Sequence, residues 1–173
     1  MSRSSKPLRN VLIVLALLAC VGCDQVTKSI ARDQLAGRET ISLANDTVRL
    51  TYAENAGVFL GLGKNLPEVV RIALFTVVVG AVLAGMLVYV LRHHVSDAWH
   101  VGAMTLIVAG GIGNLIDRIT QGGVVTDFLN VGLGPVRTGI FNVADMCITT
   151  GLIVFVFAET LQQRSQKRRQ EAT

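Results

Sequence analysis

Two aspartates, Asp127 and Asp145, are the residues of this sequence best placed to do chemistry. Asp145 is a lone acid in an otherwise apolar segment, and Asp127 is the only charged residue between Arg118 and Arg137. Two carboxylates in a poorly solvated cleft cannot both ionise cheaply, so one of them keeps its proton. Such a pair can hydrolyse a peptide bond: the ionised acid activates a water, and the protonated acid donates to the carbonyl oxygen and later to the leaving nitrogen.

Further polar residues lie near the ends of long apolar segments, at spacings that place them on shared helix faces. They are Asp24, Gln25 and Lys28, then Asn114, Asp117 and Arg118, then Asn142, and finally Asn55 in a long loop. Ionisable groups within a bilayer usually face a bundle interior or a water-filled cavity, so we expect these residues to share one interior. Two adjacent sets, Asp24 with Lys28 and Asp117 with Arg118, could instead be structural or interfacial ion pairs.

The composition is that of a membrane protein. Of the 173 residues, 51% are hydrophobic and 16% are charged, whereas soluble domains carry about 25% charged residues. The length is enough for a single domain, residues 1–173. The net charge of +4 comes from basic clusters at the two ends, "RSSKPLR" and "RSQKRRQ". Such ends are typical of cytoplasmic termini and argue against a nucleic-acid-binding face.

Four apolar segments are long enough to cross a bilayer as helices, which takes about 20 residues each. We predict these spans at about residues 11–30, 70–91, 98–116 and 140–158. Short basic segments favour cytoplasmic termini, with outer loops at 33–68 and 117–139 and a charged cytoplasmic tail at 159–173. Patterns at Thr47–Tyr52 and Val124–Phe128 predict two strands in the outer loops. This topology brings the polar residues to the outer side of the membrane.

The first span has a second interpretation. The stretch "LALLACVGCDQVTK" follows basic residues and contains "LLAC", which is typical of a lipoprotein signal in which Cys20 carries a lipid and residues 1–19 are removed. The following "DQVTK" extends the helix to a full span and favours retention of the segment. Cys20, Cys23 and Cys147 all lie in apolar segments, so they predict packing rather than disulfides or a zinc site.

Five motifs occur in the same order as in the bacterial lipoprotein signal peptidases, also called signal peptidase II, and the chain resembles that family. They are "DQVTK", "ENAGVF", "GGIGNLIDR", "VVTDF" and "FNVAD", spread over residues 24–145. The resemblance implies an all-α inner-membrane aspartyl endopeptidase with four transmembrane helices and a small β-cradle on the periplasmic face. Its substrates would be prolipoproteins that carry a diacylglyceryl group on a cysteine, cleaved just before that cysteine.

The resemblance also implies a role for each polar residue. Asp127 and Asp145 match the catalytic pair. The positions that bind substrate or shape the cleft in the family correspond here to Asn55, Gly57, Asn114, Arg118 and Asn142. Its structural polar positions correspond to Asp24, Lys28 and Asp117. No metal or other cofactor is implied. The partners would be membrane lipids and prolipoproteins, without nucleic acid, and the chain would act as a monomer.

Two other functions stay open on the sequence alone. Intramembrane acids also mark ion paths, which allows a proton- or cation-coupled transporter, although the inner halves of the spans are apolar. The second alternative is a non-catalytic lipoprotein anchored through Cys20. For the peptidase, the loop around Asn55 contains Gly57, Gly61 and Gly63, so we expect it to close over the substrate as a lid. In this loop Ala56 and Val58 depart from the family's usual "NTGAAF", which affects loop packing or substrate preference.

Overall fold

The computed structural model describes residues 6–57, 66–92 and 97–171. Within these ranges the chain forms five α-helices, a π-helical segment and four strands. In chain order they are α1 (Lys6–Leu35), β1 (Ile41–Leu43), β2 (Val48–Asn55), α2 (Glu68–Ala73), the π-helical segment (Leu74–Val78), α3 (Val79–Arg92), α4 (Ala98–Thr120), β3 (Val125–Leu133), β4 (Val136–Arg137) and α5 (Val143–Glu171).

Among these residues, three helices are long and apolar enough to cross a membrane. They are Lys6–Leu35, Ala98–Thr120 and Val143–Lys167, the greater part of α5. The predicted span at 70–91 is helical too, but its apolar part, Thr76–Arg92, is shorter. The predicted first, third and fourth spans therefore correspond to helices of sufficient length, and the second to a shorter apolar helix.

The helices at both ends of the chain extend beyond the predicted spans. Helix α1 runs from Lys6 to Leu35 rather than over 11–30, and α5 continues to Glu171 through most of the predicted tail. The extra residues of α5, "ETLQQRSQKRRQE", are mainly strong helix formers. Hydropathy marks only the apolar part of a helix, so it missed these polar extensions.

The helical bundle has polar residues inside and apolar residues outside. Lys28, Asp117 and Asn142 are fully buried, at 0% exposure. On α5, by contrast, Ile153 and Phe157 are 64% and 62% exposed. A water-soluble protein shows the reverse arrangement, whereas a bundle in lipid turns apolar side chains outward and its ionisable groups inward.

Glycines on one face of α4 allow close contact with its neighbours. A Cβ atom at Gly110 would collide with the backbone oxygen of Ala144 at the start of α5. At Gly113, an added Cβ would lie 2.6 Å from Oδ2 of Asp24 on α1. Small residues are the usual means of close helix packing in lipid. Here they bring α1, α4 and α5 together at the level of the buried polar residues.

We expect Gly110→Ala to destabilise the protein by roughly 1–3 kcal/mol, because the added methyl group meets backbone that cannot move aside. Gly102→Ala is the matched control: it lies in the same helix, and an added Cβ there has nothing within 4 Å. Alanine is favoured over glycine in a helix, so this control should be neutral or stabilising. Thermal unfolding of both variants in detergent tests the packing, and equal midpoints would contradict it.

The four strands form one antiparallel sheet in the order β1-β2-β3-β4. Both predicted strands are confirmed, as β2 and β3, and both are longer than predicted. Paired residues share a face of a sheet, and one face is apolar: its rows are Ile41–Leu50–Leu129, Leu43–Val48–Val131 and Leu133–Val136. The apolar face therefore extends across all four strands.

A bulge in β2 shifts the register beside Asp127. The pairing changes between Leu50, opposite Leu129, and Ala53, opposite Asp127. Bulges bend a strand and redirect its side chains, and they are frequent next to active sites. The sheet is held against the end of α1 by a cluster of Ala31, Leu35 and Phe128. The end of β2, which carries Asn55, is thus brought over the helix ends.

Candidate active site

Asp127 lies on β3, and only 2% of its surface is exposed. Its Oδ2 accepts a hydrogen bond of 2.9 Å from Nδ2 of Asn55 on β2. Its Oδ1 accepts one of 2.6 Å from Nδ2 of Asn142, the residue just before α5. Each oxygen of this carboxyl group is therefore held by a neutral amide, which orients the group without adding charge.

Asp145 lies in the first turn of α5, where the local sequence "NVAD" starts the helix. Oδ1 of Asn142 accepts a hydrogen bond from the Asp145 backbone N–H at 2.9 Å. In return, Oδ2 of Asp145 accepts one from the Asn142 backbone N–H at 3.3 Å. This reciprocal pairing is a capping box, with asparagine and aspartate in place of the usual residues. The helix start thus fixes the position of Asp145.

Two asparagine amides join the two carboxyl groups. Nδ2 of Asn114 donates to Oδ1 of Asp145 at 2.8 Å. Nδ2 of Asn142 lies 3.2 Å from Oδ1 of Asn114, besides its contact with Asp127. The structure brings together Asp127, Asp145, Asn114 and Asn142, which were predicted to share one interior.

A layer of buried ions lies next to this amide bridge. Nζ of Lys28 is 2.9 Å from Oδ2 of Asp24 and 3.3 Å from Oδ2 of Asp117. Oδ1 of Asp24 also accepts the backbone N–H of Ala144 at 2.8 Å, and Oδ2 of Asp117 accepts that of Thr126 at 2.9 Å. These acids therefore tie α1 and α4 to the segments that carry the two candidate catalytic residues.

Arg118 shapes the loop that follows β2. Its Nη2 donates to the backbone oxygen of Gly57 at 3.1 Å, and its Nη1 to that of Asn114 at 3.3 Å. The Gly57 backbone N–H donates to Oδ1 of Asn55 at 3.0 Å, which turns the chain at this point. Asn55, Gly57 and Arg118 thus meet beside Asp127. Val58, Gly61 and Gly63, which belong to the expected lid, lie outside the described residues.

Burial raises the pKa of Asp127 to about 6, and the charge of nearby Asp145 acts in the same direction. The hydrogen bonds from Asn55 and Asn142 oppose this shift, because they stabilise the ionised form. The pKa of this carboxyl group therefore lies well above that of an ordinary aspartate. An acid with such a pKa can exchange its proton during the reaction.

Two residues of the ion layer were not singled out by the sequence analysis. Nη1 of Arg32 donates to Oγ1 of Thr126 at 3.0 Å and lies 3.8 Å from Oδ1 of Asp117. Arg32 follows Lys28 by four positions on α1, so helical spacing could have identified it. Thr126 takes part through its backbone N–H and its hydroxyl group, and nothing in its sequence context points to that role.

The chain is similar to one family of membrane peptidases over most of its length. The model of the family described as signal peptidase (SPase) II matches residues 16–161. A lipoprotein signal peptidase from Streptococcus pneumoniae is 34% identical over 150 residues, which cover 87% of this chain and 93% of the relative. One from Syntrophus aciditrophicus is 32% identical and covers 94% of this chain and 98% of the relative.

A solved structure of a bacterial membrane enzyme has a similar fold. It superposes with a TM-score of 0.78 at 26% identity, over 90% of this chain and 91% of the other. The sequence match, the shared fold and the buried cluster around the two aspartates agree with one another. The chain belongs to the signal peptidase II family.

Proposed function

We propose that this protein removes signal peptides from prolipoproteins and that it does so by aspartyl catalysis. The proposal rests above all on the amide bridge that joins Asp127 to Asp145 in a buried cluster. The named relatives are lipoprotein signal peptidases, and the transporter alternative finds no support among them. Asn55, Asn114 and Asn142 hold the carboxyl groups. Together with Gly57 and Arg118, which contact each other beside Asp127, they shape the substrate cleft.

In the membrane, we propose four spans with both termini in the cytoplasm. The helical stretch from Glu68 to Arg92 is continuous through its π-helical segment, which gives it the length of a span although its apolar part is shorter. The basic residues at the two ends favour the cytoplasmic side of the bacterial inner membrane. The cluster around Asp127 then lies toward the periplasmic face, and the chain acts as a monomer surrounded by lipid.

The two acids divide the work of peptide hydrolysis. Asp127, whose pKa is raised to about 6, holds the proton and donates a hydrogen bond to the carbonyl oxygen of the scissile bond. Asp145, ionised, takes a proton from a water, whose oxygen attacks the carbonyl carbon. The bond between carbon and nitrogen then breaks as Asp127 passes its proton to the nitrogen, and the proton that Asp145 took from the water returns the pair to its starting state. The carboxylic acid that forms loses its own proton to solvent. The products are the carboxylate of the signal peptide and a free amine on the cysteine.

The substrate is a prolipoprotein whose cysteine already carries a diacylglyceryl group. The strand that carries Asp127 also contributes to the apolar face of the sheet, which ends at Leu133 and Val136, 75% and 78% exposed. A lipidated cysteine can therefore lie beside the acids while apolar surface and membrane cover its acyl chains. The signal peptide reaches the cleft from the bilayer.

Cleavage of a synthetic precursor by the purified full chain tests this function. Three peptides are compared: one with diacylglyceryl-cysteine, one with unmodified cysteine and one with serine at that position. We expect mass spectrometry to show cleavage of the lipidated peptide alone, just before the cysteine. Equal cleavage of all three would contradict the lipid requirement, and no cleavage would contradict the function. Intact mass of the protein tests the alternative in which residues 1–19 are removed and Cys20 is lipidated.

The assigned protonation predicts the pH dependence of the reaction. Because Asp127 must hold its proton, kcat/KM should fall as the pH rises through about 6, the pKa of this residue in the free enzyme. Substrate displaces water from the cleft and disfavours the charged form further, so kcat should fall only at higher pH.

The Asn55→Ala variant tests whether Asp127 is the group that causes this fall of kcat/KM at high pH. Asn55 donates to Asp127 and lowers its pKa. Its removal should therefore move the alkaline limb of kcat/KM to higher pH. A wild-type kcat/KM that stays constant from about pH 5 to about pH 8 would refute the assignment of the proton to Asp127.

A further inference from the structure

We propose that Lys28 is a positioning residue for the peptidase reaction: it fixes the direction of the Asn114 amide and so keeps the NH₂ group of Asn114 on Asp145. The inference rests on the proposed function, because it gives Lys28 a role in positioning the catalytic base. The family resemblance implies only a structural role for this lysine, and its ion pair with Asp24 alone would require no more than that.

The ammonium group of Lys28 has three N–H donors, and three oxygen atoms surround it. The side chain is fully buried, and its ammonium group meets three oxygens from two helices. These are Oδ2 of Asp24 at 2.9 Å, Oδ2 of Asp117 at 3.3 Å and Oδ1 of Asn114 at 2.9 Å. An ammonium group has donors and no acceptor, so each of these contacts requires an acceptor on the other side.

This requirement decides the direction of the Asn114 amide. With its oxygen toward Lys28, the NH₂ group of Asn114 points to Oδ1 of Asp145 and donates at 2.8 Å. In the flipped state the NH₂ group would face the ammonium, and the amide oxygen would face the carboxylate. Both contacts would then be repulsive in a buried site, where unpaired polar groups are costly. Nδ2 of Asn142, 3.2 Å from Oδ1 of Asn114, favours the same direction.

The interposed amide lets a buried cation act on the base without forming an ion pair with it. An ammonium group in direct contact with Asp145 would compete with the catalytic water for the carboxylate. Here Asp24 and Asp117 neutralise the charge of Lys28. Lys28 therefore affects Asp145 by fixing the orientation of the Asn114 amide between them. Oδ1 of the base is held by Asn114, and its Oδ2 lies in the capping box at the start of α5.

A double-mutant cycle on the purified full chain tests this role. We expect Lys28→Met to lower kcat about 100-fold, the loss that follows from misplacing a catalytic group by about 1 Å. KM should change little, because Lys28 is buried behind the cleft. Lys28→Arg retains the N–H donors and should recover much of kcat. The Lys28→Met effect should vanish in an Asn114→Ala background, because Lys28 then has no amide to direct.

Two further variants separate positioning from folding. Asp24→Asn combined with Lys28→Met removes both charges of the ion pair and keeps an oxygen for the Ala144 N–H. Asp117, the second acid beside Lys28, keeps Arg32 as its cationic partner, so no buried charge is left unpaired. We expect the double variant to fold and to show the same loss of kcat. Arg137→Met is the matched control: it removes a largely buried cation whose contacts are with Asp46 and Asn130, and it should keep kcat within about threefold of wild type.

The outcomes distinguish this role from the proposed function. A wild-type protein that fails to cleave the lipidated precursor overturns both. If the wild type is active and the losses from Lys28→Met and Asn114→Ala multiply, Lys28 acts independently of Asn114 and the positioning role is wrong. Normal kcat in the folded double variant at Asp24 and Lys28 leads to the same conclusion.

Discussion

The Asp127→Asn and Asp145→Asn variants are each expected to lose turnover of a diacylglyceryl-modified precursor by roughly 1,000-fold or more. Asparagine has the size of aspartate but cannot take a proton from water, and it cannot pass one to a leaving nitrogen. Either change removes one half of the acid–base pair. Because the two acids act as a unit, the variant with both substitutions should be hardly worse than either single variant.

The fold should survive these substitutions, so loss of activity can be separated from unfolding. Asparagine keeps one oxygen to accept a hydrogen bond from Asn55 or Asn142 at position 127. Thermal unfolding in detergent checks this for each variant. Asp33→Asn, an exposed acid near the end of the same α1 that carries Lys28, is the control and should keep wild-type turnover. Substantial activity in both single variants would refute the catalytic pair.

The residues of the candidate site could be predicted from the sequence because helical spacing and the family motifs indicate the same positions. Spacings of three and four placed Asn142 with Asp145 and Asn114 with Asp117 on common faces, and the topology brought these faces together. Which partner each residue takes could not be predicted in this way. Asp117 forms its ion pairs with Lys28 and Arg32 on another helix, because the rotation of packed helices depends on close contacts such as that at Gly110.

The elements of the fold could be predicted where a sequence pattern is long, and they were missed where the pattern is short. Period-2 alternation revealed β2, and a β-branched run after two glycines revealed β3. The strands β1 and β4 contain three and two residues, too few for any periodicity to appear. These strands complete the apolar face of the sheet, so the extent of that face could be seen only from the strand register. The capping box at Asn142 was also missed, because asparagine and aspartate replace the Ser/Thr and Glu/Gln that mark this motif in a sequence.

The Asn142→Asp variant should lose turnover by roughly 100-fold or more at neutral pH while keeping its fold. Nδ2 of Asn142 lies near three acceptors: Oδ1 of Asp127, Oδ1 of Asn114 and the backbone oxygen of Thr126. A carboxylate at this position offers no donor and repels Asp127. Aspartate caps a helix as well as asparagine does, so α5 should still begin at the same residue. The substitution therefore changes the amide bridge and leaves the helix start in place.

Acid should partly restore this variant. Once the new carboxyl group is protonated it has one O–H donor, which can replace the lost contact with Asp127. The ratio of variant to wild-type kcat/KM should therefore rise as the pH falls. Asn130→Asp is the matched control, because Asn130 is a buried asparagine on the same β3 but meets Arg137 and Thr138 instead of the acids. It should show a ratio near unity that does not depend on pH. If Asn142→Asp behaves like this control, the amide bridge does not hold the catalytic pair in its working geometry.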